Sequence, residues 1–265
     1  MKADPVMAEG RLRASRELSA GTFWLDVETP AADLFRAPGC FVKLRAWPEP
    51  GDGAGPLLDR PFSIHRVQAG GVQFLIRRVG PATRLLGELA VGRPVRIIGP
   101  LGRSLAGIIP EPTDCHLVAG GIGLAPLALV RDWLAGQRSR LFYGERAGRH
   151  QVDPAWLAAW AGDFTATVDD GSGYGRPGLV TAPLAEALAR EPRPILACGP
   201  PALLAAVTGL AEQFGVIPWV WLEVGMACGL GVCLSCSLPL KEGGRFQVCR
   251  EGPVADGRKV DWEAA

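Results

Sequence analysis

Four cysteines crowd the C-terminal end of the chain: Cys228, Cys233, Cys236 and Cys249, spaced C-x4-C-x2-C-x12-C. Four thiolates at this spacing can hold a [2Fe–2S] cluster, because a two-iron centre is wider than a single ion and the chain must curl around it. Gly225, Gly229 and Gly231 supply the backbone freedom such a curl needs. Amides freed by that curl can point at the cluster sulfurs and tune its potential. The competing readings are a structural zinc site and no metal at all. Zinc sites favour paired C-x2-C knuckles, and only one such pair occurs here. The other cysteines, Cys40, Cys115 and Cys198, are scattered.

Three further strings have residue types suited to holding a nucleotide. Arg60-Pro61-Phe62-Ser63 ends a loop and begins a strand. An arginine there can pair with a pyrophosphate, and Ser and backbone groups can bond a ring edge. Taken alone, the string reads first as plain strand and turn. Arg77 and Arg78 are neighbours, so on a strand they face opposite ways. Thr83 is placed to cap a short helix whose first amides suit a phosphate. Gly120-Gly121-Ile122-Gly123-Leu124-Ala125-Pro126 sits between a strand and a helix, where dinucleotide pyrophosphates bind, although Pro126 breaks the full G-x-G-x-x-G pattern. Cys198-Gly199-Pro200 ends another strand at the edge where open α/β sheets take ligands; by itself Cys198 reads first as a small buried residue. Asp169, Asp170 and Ser172 fit ribose contacts or a solvated turn. His65, His116 and His150 are not spaced as a metal set.

These pieces need elements to position them. Residues 1–103 read as β-rich, with TFWLDVETP, CFVKLRAW, RPFSIHRV, GVQFLIRRV and RPVRIIGP as short runs between Gly/Pro punctuation, one helical island at TRLLGELA, and a flexible GDGAG loop at 51–55. Such spacing predicts a barrel or sandwich. Residues 112–222 alternate strands with helices, which predicts parallel βαβ units in a sheet covered on both faces. EPTD at 111–114 marks the boundary. Residues 223–265 carry too little apolar sequence for a core, so a metal centre is expected to organise them. The expected architecture is a β-barrel domain, an α/β parallel-sheet domain and a small cluster-binding segment.

Length and composition agree. At about 150 residues per domain, 265 residues suit roughly two domains. A net charge of +1 argues against a nucleic-acid grip, which needs clustered basic charge. The N-terminal MKADPVMAEGRLRASREL lacks the apolar core of a signal peptide, and no run reaches the ~18 apolar residues of a membrane span. A cytoplasmic protein with reduced thiols is expected, and seven cysteines, an odd number, disfavour a disulfide framework.

The order R-P-F-S, G-G-I-G-L-A-P, C-G-P and then the four cysteines resembles the ferredoxin–NADP⁺ reductase family over nearly the whole chain. More narrowly it is similar to electron-transfer subunits of NAD-dependent (class 1B) dihydroorotate dehydrogenases, whose cluster segment ends near V-C-x-x-G-P-V. Val248-Cys249-Arg250-Glu251-Gly252-Pro253-Val254 matches. The resemblance implies FAD at Arg60, Pro61, Phe62, Ser63, Ile76, Arg77, Arg78, Ala82 and Thr83. It implies NAD at Gly121, Gly123 and Cys198, and the cluster at Cys228, Cys233, Cys236 and Cys249. The chain departs from the family in having Ala82-Thr83 for the usual Gly-Thr and Arg77 where an aromatic is common. The implied partner is an FMN-containing catalytic subunit that oxidises dihydroorotate, two copies of each chain forming a heterotetramer. No catalytic acid or base is expected on this chain. NADH over NADPH rests on resemblance alone: Glu145 would repel a 2′-phosphate, while Arg146 and Arg149 would attract one. A reductase for another acceptor, of hydrogenase or sulfur-reducing type, and a non-enzymatic metal-bound module are the other readings.

Overall fold

The computed structural model describes residues 4–49, 55–109 and 111–264. Apart from Gly55, the GDGAG loop lies outside the described residues. The first sheet is built from β1 (Val6–Ser19), β2 (Thr22–Glu28), β3 (Phe41–Arg45), β4 (Arg60–Ser63), β5 (Arg66–Gln68), β6 (Gly71–Arg77) and β7 (Pro94–Leu101). Its order is β4-β3-β7-β1-β2-β6-β5, every pair antiparallel. The two edge strands, β4 and β5, are joined by only Ile64 and His65, so the sheet must curl until its edges almost meet. The result is an open half-barrel. Side-chain alternation fills it: Phe23, Leu25 and Val27 from β2 and Val42 and Leu44 from β3 point inward, with Leu12, Phe74, Val95 and Ile97 from other strands. RPFSIHRV, expected as one run, is therefore broken at Ile64–His65, where the chain crosses from one edge to the other. The helical island is α1 (Pro81–Gly87), opened by a proline whose missing amide is not needed there. Thr83 is not its cap: it is the third helical residue, and its hydroxyl accepts from the amides of Val79 (2.9 Å) and Gly80 (3.0 Å).

The second sheet contains β8 (Cys115–Gly120), β9 (Ser139–Glu145), β10 (Phe164–Val168), β11 (Arg176–Pro177), β12 (Ile195–Cys198) and β13 (Pro218–Trp221), parallel in the order β11-β10-β9-β8-β12-β13. Helices α2 (Leu127–Trp133), α3 (Pro154–Ala161), α4 (Thr181–Arg190) and α5 (Pro201–Gln213) make the crossovers. β8 and β12 are buried throughout, which explains their continuous apolar runs. Strand order reverses between them, placing a ligand crevice at their C-terminal ends. The Gly-rich string does not run straight into a helix. Gly121–Leu124 forms a 3₁₀ turn, and Pro126 caps α2 from outside.

The tail leaves β13 as an irregular loop. It then forms β14 (Ser237–Pro239) and β15 (Arg245–Gln247), paired antiparallel, one turn of helix α6 (Val248–Glu251), and β16 (Val254–Asp256). β16 pairs antiparallel with β13, so the end of the tail completes the second sheet. Cys236, Val248, Cys249 and Val260 share a core cluster with Phe41 and Leu101 of the first sheet and Val220 of the second. The tail thus borrows its core from both sheets. No helix among the described residues is long and apolar enough to cross a membrane.

Candidate redox site

Three connected clefts run from α1 to the crevice of the second sheet. The first, about 750 Å³, lies between β4 and α1 and is lined by Arg60, Pro61, Phe62, Ala82, Thr83 and Arg84. Among the described residues, neither Arg60 nor Arg84 has a carboxylate within ion-pair distance, and the Arg60 guanidinium bonds only the Leu58 carbonyl at 3.1 Å. An unpaired, half-buried guanidinium in a groove of this size suits a pyrophosphate. The second cleft, about 360 Å³, is an apolar slot walled by Phe41, Pro61, Phe62, Leu75, Trp221 and Met226, with Ser63 and Ile76 at its edge. Its shape and lining suit a flat ring system. The third, about 730 Å³, spans Gly120, Gly121, Glu145, Arg146, Arg149 and Gly199. Arg77, Ile122 and Glu223 line both the second and third, joining them.

The two adjacent arginines part company. Arg77 enters the cleft, where it pairs with the buried Glu145 and contacts Thr22 Oγ1 at 3.3 Å. Arg78 is not among the residues lining these three clefts: it pairs with Glu17 at 2.8 Å and lies over the Phe23 ring, 4.9 Å from its centroid. Gly123 and Cys198 stand behind the third cleft's lining. A Cβ at Gly123 would collide with the Cys198 carbonyl, so the absent side chain serves packing of the turn onto β12. Cys198 is fully buried; burial, with the carboxyl of Glu223 3.9 Å from its sulfur, pushes its thiol well above the ordinary range. Glu223 was not singled out by the sequence, although it stands two residues past β13 at the same ligand-binding edge. Crowding by surrounding protein raises its carboxyl, against a lowering by Cys198.

The four cysteines pair off. The Cys228 sulfur accepts from the amides of Leu230 (3.3 Å) and Cys233 (3.5 Å), and the Cys236 sulfur from the Cys249 amide at 3.5 Å. Cys233 sits 3.2 Å from the Ser235 hydroxyl. That hydroxyl, with nearby amides, lowers the Cys233 thiol to about 6. For Cys228 burial acts upward, but the Cys233, Leu230 and Val232 amides outweigh it. Burial and then Cys236 push Cys249 up to about 12. Gly229 and Gly231 hold positive φ (72° and 87°) as the curl requires; Gly225 does not. Among the described residues no three ligating side chains converge on a single-ion point. Two pairs of thiols, amides on one sulfur of each, suit two irons better than one zinc. Cys233 is exposed and Cys228 half-buried, whereas Cys236 and Cys249 are buried, so the set runs from the surface inward.

Comparison with known proteins bears on this arrangement. Residues 223–261 match the family model described as the iron–sulfur cluster binding domain of dihydroorotate dehydrogenase B. The dihydroorotate dehydrogenase B (NAD(+)) electron transfer subunit of Desulforamulus reducens is 30% identical, over 96% of this chain and 98% of that protein. The chain belongs to this family. The Geobacillus kaustophilus member is 33% identical over 94% of each chain. A solved structure of an NADH-dependent reduced ferredoxin-NADP oxidoreductase, studied for flavin-based electron bifurcation, shares the fold with a TM-score of 0.79, covering 96% of this chain and 90% of that one at 24% identity.

The ferredoxin-reductase-like fold puts the family's cluster segment against the apolar slot. Met226, two residues before Cys228, and Val248, next to Cys249, both line that slot. The cysteine loop is thus one wall of the cleft that suits a flat ring.

Proposed function

We propose that this chain is the electron-transfer subunit of an NAD⁺-linked dihydroorotate dehydrogenase, holding FAD in the first two clefts, a [2Fe–2S] cluster on the four cysteines and NAD(H) in the third. The observation that carries this is the shared wall: Met226 and Val248 belong both to the slot and to the cysteine segment. When bound, the flavin supplies the exchange between single electrons at the cluster and an electron pair at the nicotinamide.

The chain's own residues bind and orient. Arg60 meets the flavin pyrophosphate, Thr83 fixes the turn beside it, and Pro61, Phe62 and Ser63 hold the ring edge. Gly121, supported from behind by Gly123 and Cys198, floors the nicotinamide cleft. Glu223, at the junction of slot and cleft, is placed to orient the two rings and limit water between them. No residue here is assigned dihydroorotate chemistry, which belongs to an FMN-bearing partner. In this reading residues 1–103 serve FAD, 112–222 NAD and 223–265 the cluster, in the cytoplasm. The partner docks over Leu230, Val232 and Leu234, which are 54%, 80% and 63% exposed around the outer cysteines, in an assembly of two copies of each chain.

The test is anaerobic purification with and without the FMN subunit, followed by flavin, iron and acid-labile sulfide assays and by NAD⁺-linked dihydroorotate oxidation. Near one flavin and two irons per chain, with dihydroorotate oxidation only in the reconstituted pair, is expected. A colourless chain holding zinc would overturn the reading. Activity confined to a different acceptor would reassign the partner.

A further inference from the structure

β3 carries a buried charge that faces no counter-charge among the described residues. Val42 and Leu44 point into the half-barrel, so Phe41, Lys43 and Arg45 point outward, yet all three are buried. Phe41 lines the apolar slot. Arg45 is neutralised by Asp59 at 2.5 Å. Lys43, only 7% exposed, has no carboxylate within ion-pair distance among the described residues. Its ammonium donates to two neutral carbonyls, Ala227 O at 2.7 Å and Cys228 O at 3.2 Å. Its stem runs under the loop so closely that a Cβ at Gly229 would sit 3.0 Å from Lys43 Cδ.

Burying an ammonium against neutral partners alone is costly, and buried lysines are ordinarily paired. One of the two bonded carbonyls belongs to Cys228, the first cysteine of the set, and the other to the residue before it. A two-iron centre held by four thiolates is anionic, and one-electron reduction adds one more negative charge. At low effective dielectric, a fixed cation beside it stabilises the reduced form more than the oxidised one.

We propose that Lys43 is the buried counter-ion of the cluster: it ties the first cysteine of the loop to the flavin-side sheet and holds the cluster's reduction potential up. The inference rests on the iron–sulfur reading of the four cysteines. Lys43 acts here as a positioning and tuning residue. Its β-sheet neighbours are Pro61 on β4, which lines the slot, and Ile98 on β7, so the same short stretch of sheet faces both proposed redox groups.

Three variants of the full chain, produced with the partner subunit, separate charge from tether. Lys43→Gln keeps a donor for the carbonyls without the charge, Lys43→Arg keeps the charge, and Lys43→Met removes both. Iron, sulfide and flavin are assayed first, then the cluster is titrated potentiometrically by EPR. At fixed potential the reduced-to-oxidised ratio should fall about tenfold in the Gln and Met variants, a negative shift of about 59 mV for a one-electron couple. The Arg variant should stay near wild type with flavin content unchanged throughout. A Gln variant with a full cluster and the wild-type potential overturns the proposal. If the Gln variant loses its cluster, retention in the Arg variant supports the charge, and loss in both overturns it. A wild-type chain without iron would instead sink the iron–sulfur reading itself.

Discussion

Arg77 and Glu145 form a charge pair between the two sheets, at the point where the slot opens into the nucleotide cleft. The Glu145 side chain is 3% exposed and that of Arg77 25%, so the carboxylate depends on its partner far more than the guanidinium does. Besides Arg77, the donors to that carboxylate among the described residues are the Arg146 amide at 3.3 Å and the Tyr143 hydroxyl at 3.4 Å, both long. Arg77→Ala leaves a buried carboxylate nearly bare and should cost about 3 kcal/mol, read as a lower urea midpoint with an unchanged slope. Adding Glu145→Gln should recover part of the loss, because neighbours in one pair are not additive. Equal stability of Arg77→Ala and wild type would show that the pair holds nothing. Strand alternation foretold that the two arginines would diverge, but not which one would enter the cleft. That choice was made by Glu145 and Glu17, residues distant in sequence. Glu145 is paired with Arg77, which offsets the charge that its position in the sequence was expected to turn against a 2′-phosphate.

At the scale of elements, legibility followed the strength of the apolar pattern. β8, β9, β10, β12 and β13 and the helices between them stood out because short apolar strands alternate with helical runs, and Pro154 and Pro201 mark helix starts. β1, the longest strand, did not stand out. Its outward face is charged at Glu9, Arg11 and Arg13, and its buried positions, Ala8, Gly10, Leu12 and the distant Leu18, are mostly small or widely spaced. β14, β15 and β16 are three residues each and exist by virtue of what they pair with, which no local pattern shows. The cysteine spacing was legible at once, whereas the loop's outer surface was not. Leu230, Val232 and Leu234 alternate with small and cysteine residues, and only the fold shows that all three face solvent. Val232→Glu should leave iron and sulfide content intact while weakening association with the proposed catalytic partner at least tenfold, measured by titration of labelled chain. Unchanged affinity would move the docking face elsewhere on the molecule.

At the scale of the whole molecule, the two sheets are fastened where the half-barrel nearly closes. His65, one of the two residues linking β4 to β5, inserts into the second domain. Its Nδ1 lies 2.9 Å from the Ala125 carbonyl, and its ring stacks on Trp156 and meets Trp160 edge-on, each at 5.4 Å. Nothing in the sequence distinguished it from the other histidines, because its burial follows from the curl of the sheet. Burial, which outweighs the Ala125 hydrogen bond, lowers its pKa from 6.5 to about 4. The unfolded chain therefore takes up a proton near pH 6.5 that the folded chain refuses until near pH 4. Stability contributed by neutral His65 is fully present above about 6.5 and falls as the pH drops through that window, by about 3 kcal/mol in all. The carboxylates held low by arginines, such as Asp59 beside Arg45 and Arg96, lose their contribution from about pH 5 downward, and burial also lowers His116, so the comparison with a His65 variant is what isolates the His65 share. Urea melts followed by tryptophan fluorescence at pH 7, 6, 5 and 4.5 should show the midpoint falling steadily. His65→Asn, which keeps a polar group but has no titrating ring, should start lower at pH 7 and vary less across that range. If wild type and His65→Asn lose stability in parallel, the acid sensitivity lies elsewhere and His65 is not the titrating fastener between the two domains.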